Sequence, residues 1–380
     1  MQEPTPTPER AEKKHVVFVL SGYGRHRRGA ERMVAQLVER LSGQYDFTVL
    51  GSGTDAPAAV ALPCISRDAG WTNFINRTPL IGHASRVFQL DPLNWEWLSH
   101  AWAARRWLVE HRCDLLIPEG GRWGGWLGRW YRNRTGTPFI DIAQGAPSRW
   151  ERAAARCRPD CYVAPTRVSA DIMADVVPGL RVAVLPMGVD TKTFSPDGDK
   201  APLDMPRPVV LSVGALEQLK RMELVIRAVH ALGRGSVVLV GDGPERAALE
   251  DVGRALLGPE RFCIRQAAPV DMPGWYRAAD LFVSASRSEA FGLVYLEALA
   301  CGLPVVTQDD AVRREVLGGT GWLVDDPTPA SWAAAMAKAL NEHDPIAARR
   351  RAAQYDVAMW ADRFAALIQS VLDKTTRLPE

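Results

Sequence analysis

Short apolar runs alternate along the chain with longer segments of helical spacing. HVVFVL (15–20) is a β-branched apolar run of the kind a parallel strand buries on both faces. The glycine-containing loop SGYGRHRRGAE follows, and then ERMVAQLVERL (31–41), whose apolar positions recur at helical spacing. YDFTVLGSG (45–53) reads as a second strand and turn, and WEWLSHAWAARRWLVEHR (95–112) as a helix. Strands are predicted again over 113–121, 138–145 and 181–190, with a helix through RWGGWLGRWYRNRTG between the first two. Strand and helix in strict alternation predict an α/β fold with a doubly wound, Rossmann-like parallel sheet.

The pattern breaks at SPDGDKAPLDMPRP (195–208), where four prolines, one glycine and three aspartates make a linker. A second α/β series follows. It has strands over 208–216, 280–286 and 303–309, helices over 222–232 and 290–302, a strand–turn–helix through SVVLVGDGPERAALEDVGRAL and a short extended stretch over 321–326. An amphipathic helix runs from Val357 to Leu372. The expected plan is a disordered lead over 1–14, a first domain over 15–196, a linker over 197–207 and a second domain over 208–356, with a helical tail over 357–380. Ligands of open parallel sheets bind beyond the carboxyl ends of the strands, so two such halves facing each other frame an interdomain cleft.

Length agrees with this plan: 380 residues at about 150 per domain give two domains. Hydrophobic residues at 47% and charged residues at 24% are globular proportions. Lys+Arg 46 against Asp+Glu 44 leaves a net charge of +2, which removes the electrostatic case for a nucleic-acid partner. No apolar run approaches the roughly 20 residues of a membrane span, and MQEPTPTPERAEKKH lacks the apolar middle of a secretory signal. Six scattered cysteines are the pattern of reduced thiols, and Cys157 with Cys161 lacks a second pair to complete a zinc set. A cytoplasmic protein is expected, peripheral at most to the inner face of the membrane. Of thirteen tryptophans, nine fall between Trp71 and Trp150. They read as core and amphipathic-face residues, with a stacking wall for a sugar or an apolar acceptor as the sharper alternative.

The chemistry concentrates in SRSEAFGLVYLEALACGLPVV (286–306). Glu289 ends a loop after a buried strand, and Ala290, Phe291, Gly292 and Leu293 are expected to open a helix whose free amides form an anion site. Gly292 would let a ligand approach the backbone. Glu297 follows eight residues after Glu289, roughly 12 Å along a helix, inside the apolar stretch LVYLEALA. A carboxylate there needs a partner or a polar cleft. Two acceptor-only groups so spaced suit the hydroxyls at the two ends of a nucleotide sugar.

The E-x7-E arrangement with FG after its first Glu, followed by EALACGLPVV, resembles the retaining glycosyltransferases of family 4, which have the two-domain GT-B fold. The resemblance continues through SVGALEQLKR (212–221), LVGDGPERAAL (239–249), WYRAADLFVSAS (275–286) and GTGWLVDD (319–326), and more weakly through RGAER (28–32) and PMGVDTKTFSP (186–196). It implies a transferase of hexosyl type that moves a sugar from a nucleoside diphosphate donor to an acceptor hydroxyl with retention of configuration. The second domain would bind the donor and the first the acceptor, with the C-terminal helix returning to the first. Lys220 matches the lysine that neutralises the diphosphate, Gly214 precedes the position where the family has Arg and this chain has Ala215, and Arg221 stands where the family has Gly. Arg221 would supply the missing guanidinium. Gly29 matches the loop bordering the transfer site, beside Arg25, His26, Arg27 and Arg28. Glu289 would orient the sugar and Glu297 the ribose. Gln144 stands where the family commonly has a His at the donor sugar; it can hydrogen-bond but cannot titrate. Asp309-Asp310 and Asp325-Asp326 form no D-x-D after a strand, so neither a metal nor another cofactor is expected, and Arg246 in GDGPER spoils a dinucleotide fingerprint. Rival readings are a GT-B-like sugar-nucleotide epimerase or hydrolase, and a non-catalytic nucleotide-sugar-binding partner. Nucleobase, sugar, acceptor and oligomeric state stay open.

Overall fold

The computed structural model describes residues 13–26, 29–66, 91–143 and 147–374. Among the described residues, seven strands belong to the first half: β1 (His15–Val19), β2 (Asp46–Gly51), β3 (Ala59–Ala61), β4 (Leu115–Pro118), β5 (Ile140–Ile142), β6 (Cys161–Ala164) and β7 (Val182–Val184). They form parallel ladders in the orders β3-β2-β1-β4 and β5-β6-β7, linked by a parallel bridge between Leu116 and Phe139. The second half is one six-stranded parallel sheet of β8 (Val209–Val213), β9 (Ser236–Val240), β10 (Phe262–Arg265), β11 (Leu281–Ser284), β12 (Val305–Gln308) and β13 (Trp322–Val324), ordered β10-β9-β8-β11-β12-β13.

Alternation along each central strand explains why the runs are apolar throughout. Val16 and Phe18 of β1 face one core and Val17 and Val19 another, because successive side chains point to opposite faces. In β9, Val237 and Leu239 face one layer of helices, Val238 and Val240 the other. The structure places β3 and the helix Pro345–Ala353 where the sequence pattern assigned no element. That helix packs its buried Ala348 and Ala352 against the second-half core.

The helix Val357–Leu372 packs on the first half: Trp360, Phe364 and Ile368 share a core with Val16, Phe18 and Val49. Its buried positions follow the i, i+3, i+4 rhythm of an amphipathic stripe, and Asp356 caps it by accepting from the Ala358 amide. The two chain crossings between the halves lie side by side. Val189 N donates to Tyr355 O at 2.8 Å, and Val357 N donates to Val189 O at 2.9 Å. Gly188 fits there because a Cβ would fall 2.7 Å from Val357 Cα.

Sheet order also marks where each half should bind. In the second half the direction of winding reverses between β8 and β11, and in the first between β1 and β4. Those are the two topological switch points, where the crevice outside the strand ends opens.

Candidate functional site

The loops leaving β8 and β11 meet at the second-half switch point. The loop after β8 ends in a 3-10 turn, Gln218–Lys220, and then in Arg221, whose φ of 48° is left-handed. Glycine is the least strained residue in that region, so Arg221 holds a conformation that a side-chain-bearing residue rarely adopts. The loop after β11 is tied to this turn at three points. Arg287 N donates to Leu219 O at 3.0 Å, Arg221 Nε donates to Ala285 O at 2.6 Å, and Lys220 Nζ meets Glu289 Oε1 at 2.5 Å. Lys220 and Glu289 are thus an ion pair, partly open to solvent at 25% and 15% side-chain exposure. Gly214 borders them: a Cβ there would stand 3.7 Å from Lys220 Cε, an ordinary contact, while its φ of 148° is one that side-chain-bearing residues rarely adopt.

Arg221 acts inside this assembly. A second guanidinium nitrogen bonds the side chain of Gln308 at the end of β12, so the group bridges two strand ends. Burial, with Arg287 and Arg313 close by, lowers its pKa below the usual arginine value.

Residues 290–292 are not helical. The helix is Leu293–Ala300, preceded by Gly292 at φ 87°, so Glu289 and Glu297 are separated by a bend as well as by a turn of helix. The reason is local. A Cβ on Gly292 would fall 2.2 Å from Tyr295 Cε2, so the space above that glycine belongs to the Tyr295 ring rather than to open cleft. Phe291 is buried in the second-half core, and Ala290 and Leu293 are half-buried.

Glu297 sits apart from the Lys220–Glu289 pair. It is 6% exposed. Tyr276 Oη donates to its Oε2 at 2.8 Å, and Arg32 of the first half approaches its Oε1 at 3.7 Å. Burial raises its pKa, and Arg32 and the tyrosine hydroxyl oppose that. The cavity around this junction is small, about 30 Å³, and is bordered by Gly29, Met187, Asp190 and Leu293 as well as by the pair itself. Gly29 opens the helix Gly29–Leu41, is exposed, and has nothing within 4 Å of a would-be Cβ. Gln144, Arg27 and Arg28 lie outside the described residues.

Sequence reasoning missed Arg32, Tyr295 and Arg313. Arg32 closes the RGAER motif, the one signal that could have found it. Arg313, in AVRREVL, is fully buried. Its NH2 donates to Ser286 O at 2.7 Å, its Nε to Tyr295 Oη at 3.0 Å, and its NH1 pairs with Asp310. Asp309 pairs with Arg314, and Asp326 caps a turn through Thr328 and Ser331. Four half-buried tryptophans, Trp107, Trp123, Trp126 and Trp130, pack against a first-half core, while Trp97 and Trp150 meet edge to face at 6.3 Å over Gly120 and Gly121. Among the described residues no helix is long and apolar enough to cross a membrane.

Two facing Rossmann-like domains with switch-point loops on both sides of a cleft define the GT-B class of glycosyltransferases. Residues 27–193 of the chain match the model described as Glycosyltransferase Family 4, and residues 196–356 match the model described as Glycosyl transferases group 1. Its relatives include the D-inositol 3-phosphate glycosyltransferase of Kineococcus radiotolerans, 37% identical over 195 residues, which are 43% of this chain and 44% of that one. The protein of the same description from Salinispora tropica is 36% identical over 229 residues, 51% of this chain and 46% of the other. The chain thus spans a little under half the length of these relatives. Among solved structures, sucrose-phosphate synthase from Thermosynechococcus elongatus superposes with a TM-score of 0.75 at 19% identity, covering 96% of this chain and 100% of that one. HepE of Anabaena, crystallised with UDP and glucose, gives 0.69 at 17% identity, with 94% and 100% covered.

Proposed function

We propose that the protein transfers a hexosyl group from a nucleoside diphosphate sugar to an acceptor hydroxyl, with retention and without a metal, in the cytoplasm or at the inner face of a membrane. The observation that carries this reading is the Lys220–Glu289 pair at the β8/β11 switch point, held by Arg221 and Arg313. A diphosphate entering this crevice would take Lys220 as its counter-ion and release Glu289 to accept hydrogen bonds from sugar hydroxyls. As the bond from the anomeric carbon to the phosphate oxygen breaks, charge grows on the diphosphate, and a preorganised ammonium stabilises it. The acceptor oxygen forms the new bond on the same face, and its proton passes to the departing phosphate oxygen. Glu297 would meet the ribose once the Arg32 contact opens. Arg221 is a positioning residue in this scheme, and Gln144 would hold the donor sugar by hydrogen bonds. The relatives' description makes a cyclitol the first acceptor class to consider.

The test is a panel of UDP-, GDP- and ADP-sugars followed by slow donor hydrolysis and transfer. Lys220→Ala and Glu289→Ala should each lower turnover at least tenfold. Unchanged rates in both would overturn the assignment, an epimerised sugar would favour the epimerase, and binding without turnover would favour a non-catalytic partner.

A further inference from the structure

The first-half switch point holds a second group of side chains that this mechanism does not use. Glu119 directly follows β4, and its amide donates to Val19 O at 2.8 Å, which sets it beside the end of β1. Glu31 lies in the first turn of the helix after β1, its carboxylate so close over the glycine loop that a Cβ on Gly22 would fall 2.0 Å from Oε1. Asp141 lies in β5, and Glu151, in the helix Arg149–Ala155, accepts from Tyr162 Oη at 3.0 Å. All four are at least nine-tenths buried, with exposures of 7%, 8%, 3% and 9% in that order.

Among the described residues, both oxygens of Glu119, Oε2 of Glu31 and Oδ2 of Asp141 are buried without a hydrogen-bond partner. Buried polar atoms placed for packing alone are nearly always partnered, so orphans concentrated in one cluster need another account. The charges acting on Glu119 are those of Glu31, Asp141 and Glu151, and burial together with these like charges holds its carboxyl well above the usual carboxylate range. Asp141 is raised in the same way, by burial first and Glu151 second. An aromatic ring lies beside the glycines that follow Glu119. Gly120 and Gly121 both have left-handed φ values, and a Cβ on either would come within 3.2–3.3 Å of the Trp97 ring.

An occupant must therefore bring hydrogen-bond donors. Among the described residues no three His, Cys, Asp or Glu side chains are grouped to hold a metal ion. A phosphate supplies acceptor oxygens and negative charge, and four buried carboxyl groups offer it neither counter-charge nor enough donors. Ring hydroxyls suit the orphaned oxygens, the faces of a saturated ring suit tryptophan, and an ammonium offsets the accumulated carboxylate charge.

We propose that this carboxyl cluster binds the acceptor, and that the acceptor is a hydroxyl-rich ring carrying an amino group rather than a phosphate. This rests on the transferase reading above and departs from the relatives named for D-inositol 3-phosphate. The ammonium pairs with Glu119 and Asp141, and a ring hydroxyl donates to Glu31 Oε2.

Calorimetric titration of the full chain with glucosamine, glucose, glucose 6-phosphate and inositol 3-phosphate tests it without any donor. Glucosamine should bind at least tenfold more tightly than glucose, and both phosphates more weakly than either. Glu119→Gln should cut the glucosamine preference below threefold while nucleotide binding is unchanged, and Asp141→Asn serves the same purpose if the first variant fails to fold. Equal binding of glucosamine and glucose, tighter binding of a phosphate, or a preference that survives both substitutions overturns the proposal. Nucleotide binding that depends on Lys220 is read separately, so loss of the donor site and loss of the amine preference are distinct results.

Discussion

Arg313 puts a guanidinium with no exposed surface beneath the loop that carries Glu289. Such a group is tolerated because Ser286 O, Tyr295 Oη and Asp310 accept its hydrogen bonds. Arg313→Ala should destabilise the protein by about 3–5 kcal/mol, the cost of breaking a buried charged pair and stranding its partners, and should lower turnover as well. Urea unfolding checks the first part, and a loss below about 1 kcal/mol would refute the packing account. His100 makes a pH-dependent case. Burial lowers its pKa to about 4, against the opposing effects of the Gly51 carbonyl and Glu96. Between about 6.5 and 4 the unfolded chain binds the proton and the folded one does not, so stability falls as pH drops through that window. The contribution is about 3 kcal/mol in full. His100→Gln should flatten the acid limb of urea midpoints measured at pH 7.5 and 4.5. Parallel losses in the two proteins would contradict it.

At the level of elements, the central strands were legible because both their faces are buried and the apolar run is unbroken, whereas β3 and β10, at the sheet edges and partly exposed, were not assigned. Met222–Leu232 and Val357–Leu372 match their periodic segments closely, since each buries one clean stripe. The start of Leu293–Ala300 was not legible. EAFGLVYLEALA carries no capping side chain, and what stops the helix at Gly292 is the Tyr295 ring folding back over it. The candidate site divides in the same way. Lys220 and Glu289 could be found from local motifs, whereas the Arg32–Glu297 contact joins residues from opposite halves and has no local signal. One further element contact crosses the halves. Glu315, in Ala311–Leu317, accepts from the amides of Arg167 and Val168 at 2.7 and 3.1 Å and so satisfies the start of the helix Arg167–Val176. An anion at a helix start contributes about 1 kcal/mol. Because this cap is supplied by the other half, Glu315→Ala should favour separation of the halves, read as a larger radius of gyration in small-angle scattering. An unchanged profile would show that the cap does not hold the cleft.

For the molecule as a whole, the adjacent crossings at Val189 and Tyr355–Val357 make a two-strand hinge, with Glu315 and the Arg32–Glu297 pair as contacts that opening would break. Closure of such a cleft expels water, which favours transfer over hydrolysis. The helix Val357–Leu372 belongs to the first half in space and follows the second half in sequence. Each large apolar side chain it buries, such as Phe364 or Ile368, contributes roughly 1.5–3 kcal/mol. A chain ending at residue 356 should therefore expose an apolar groove beside β1, bind a hydrophobic dye and aggregate; a monomeric, dye-silent product would show the helix to be dispensable.

On the ribosome this arrangement imposes an order of events. The nascent first half emerges with its groove uncovered and stays so while some 170 further residues are made, until the last helix leaves the tunnel and docks. Throughout that interval the half-built protein is a client for whatever chaperone shields greasy surfaces, and a slow codon in the stretch encoding the second half would lengthen its exposure.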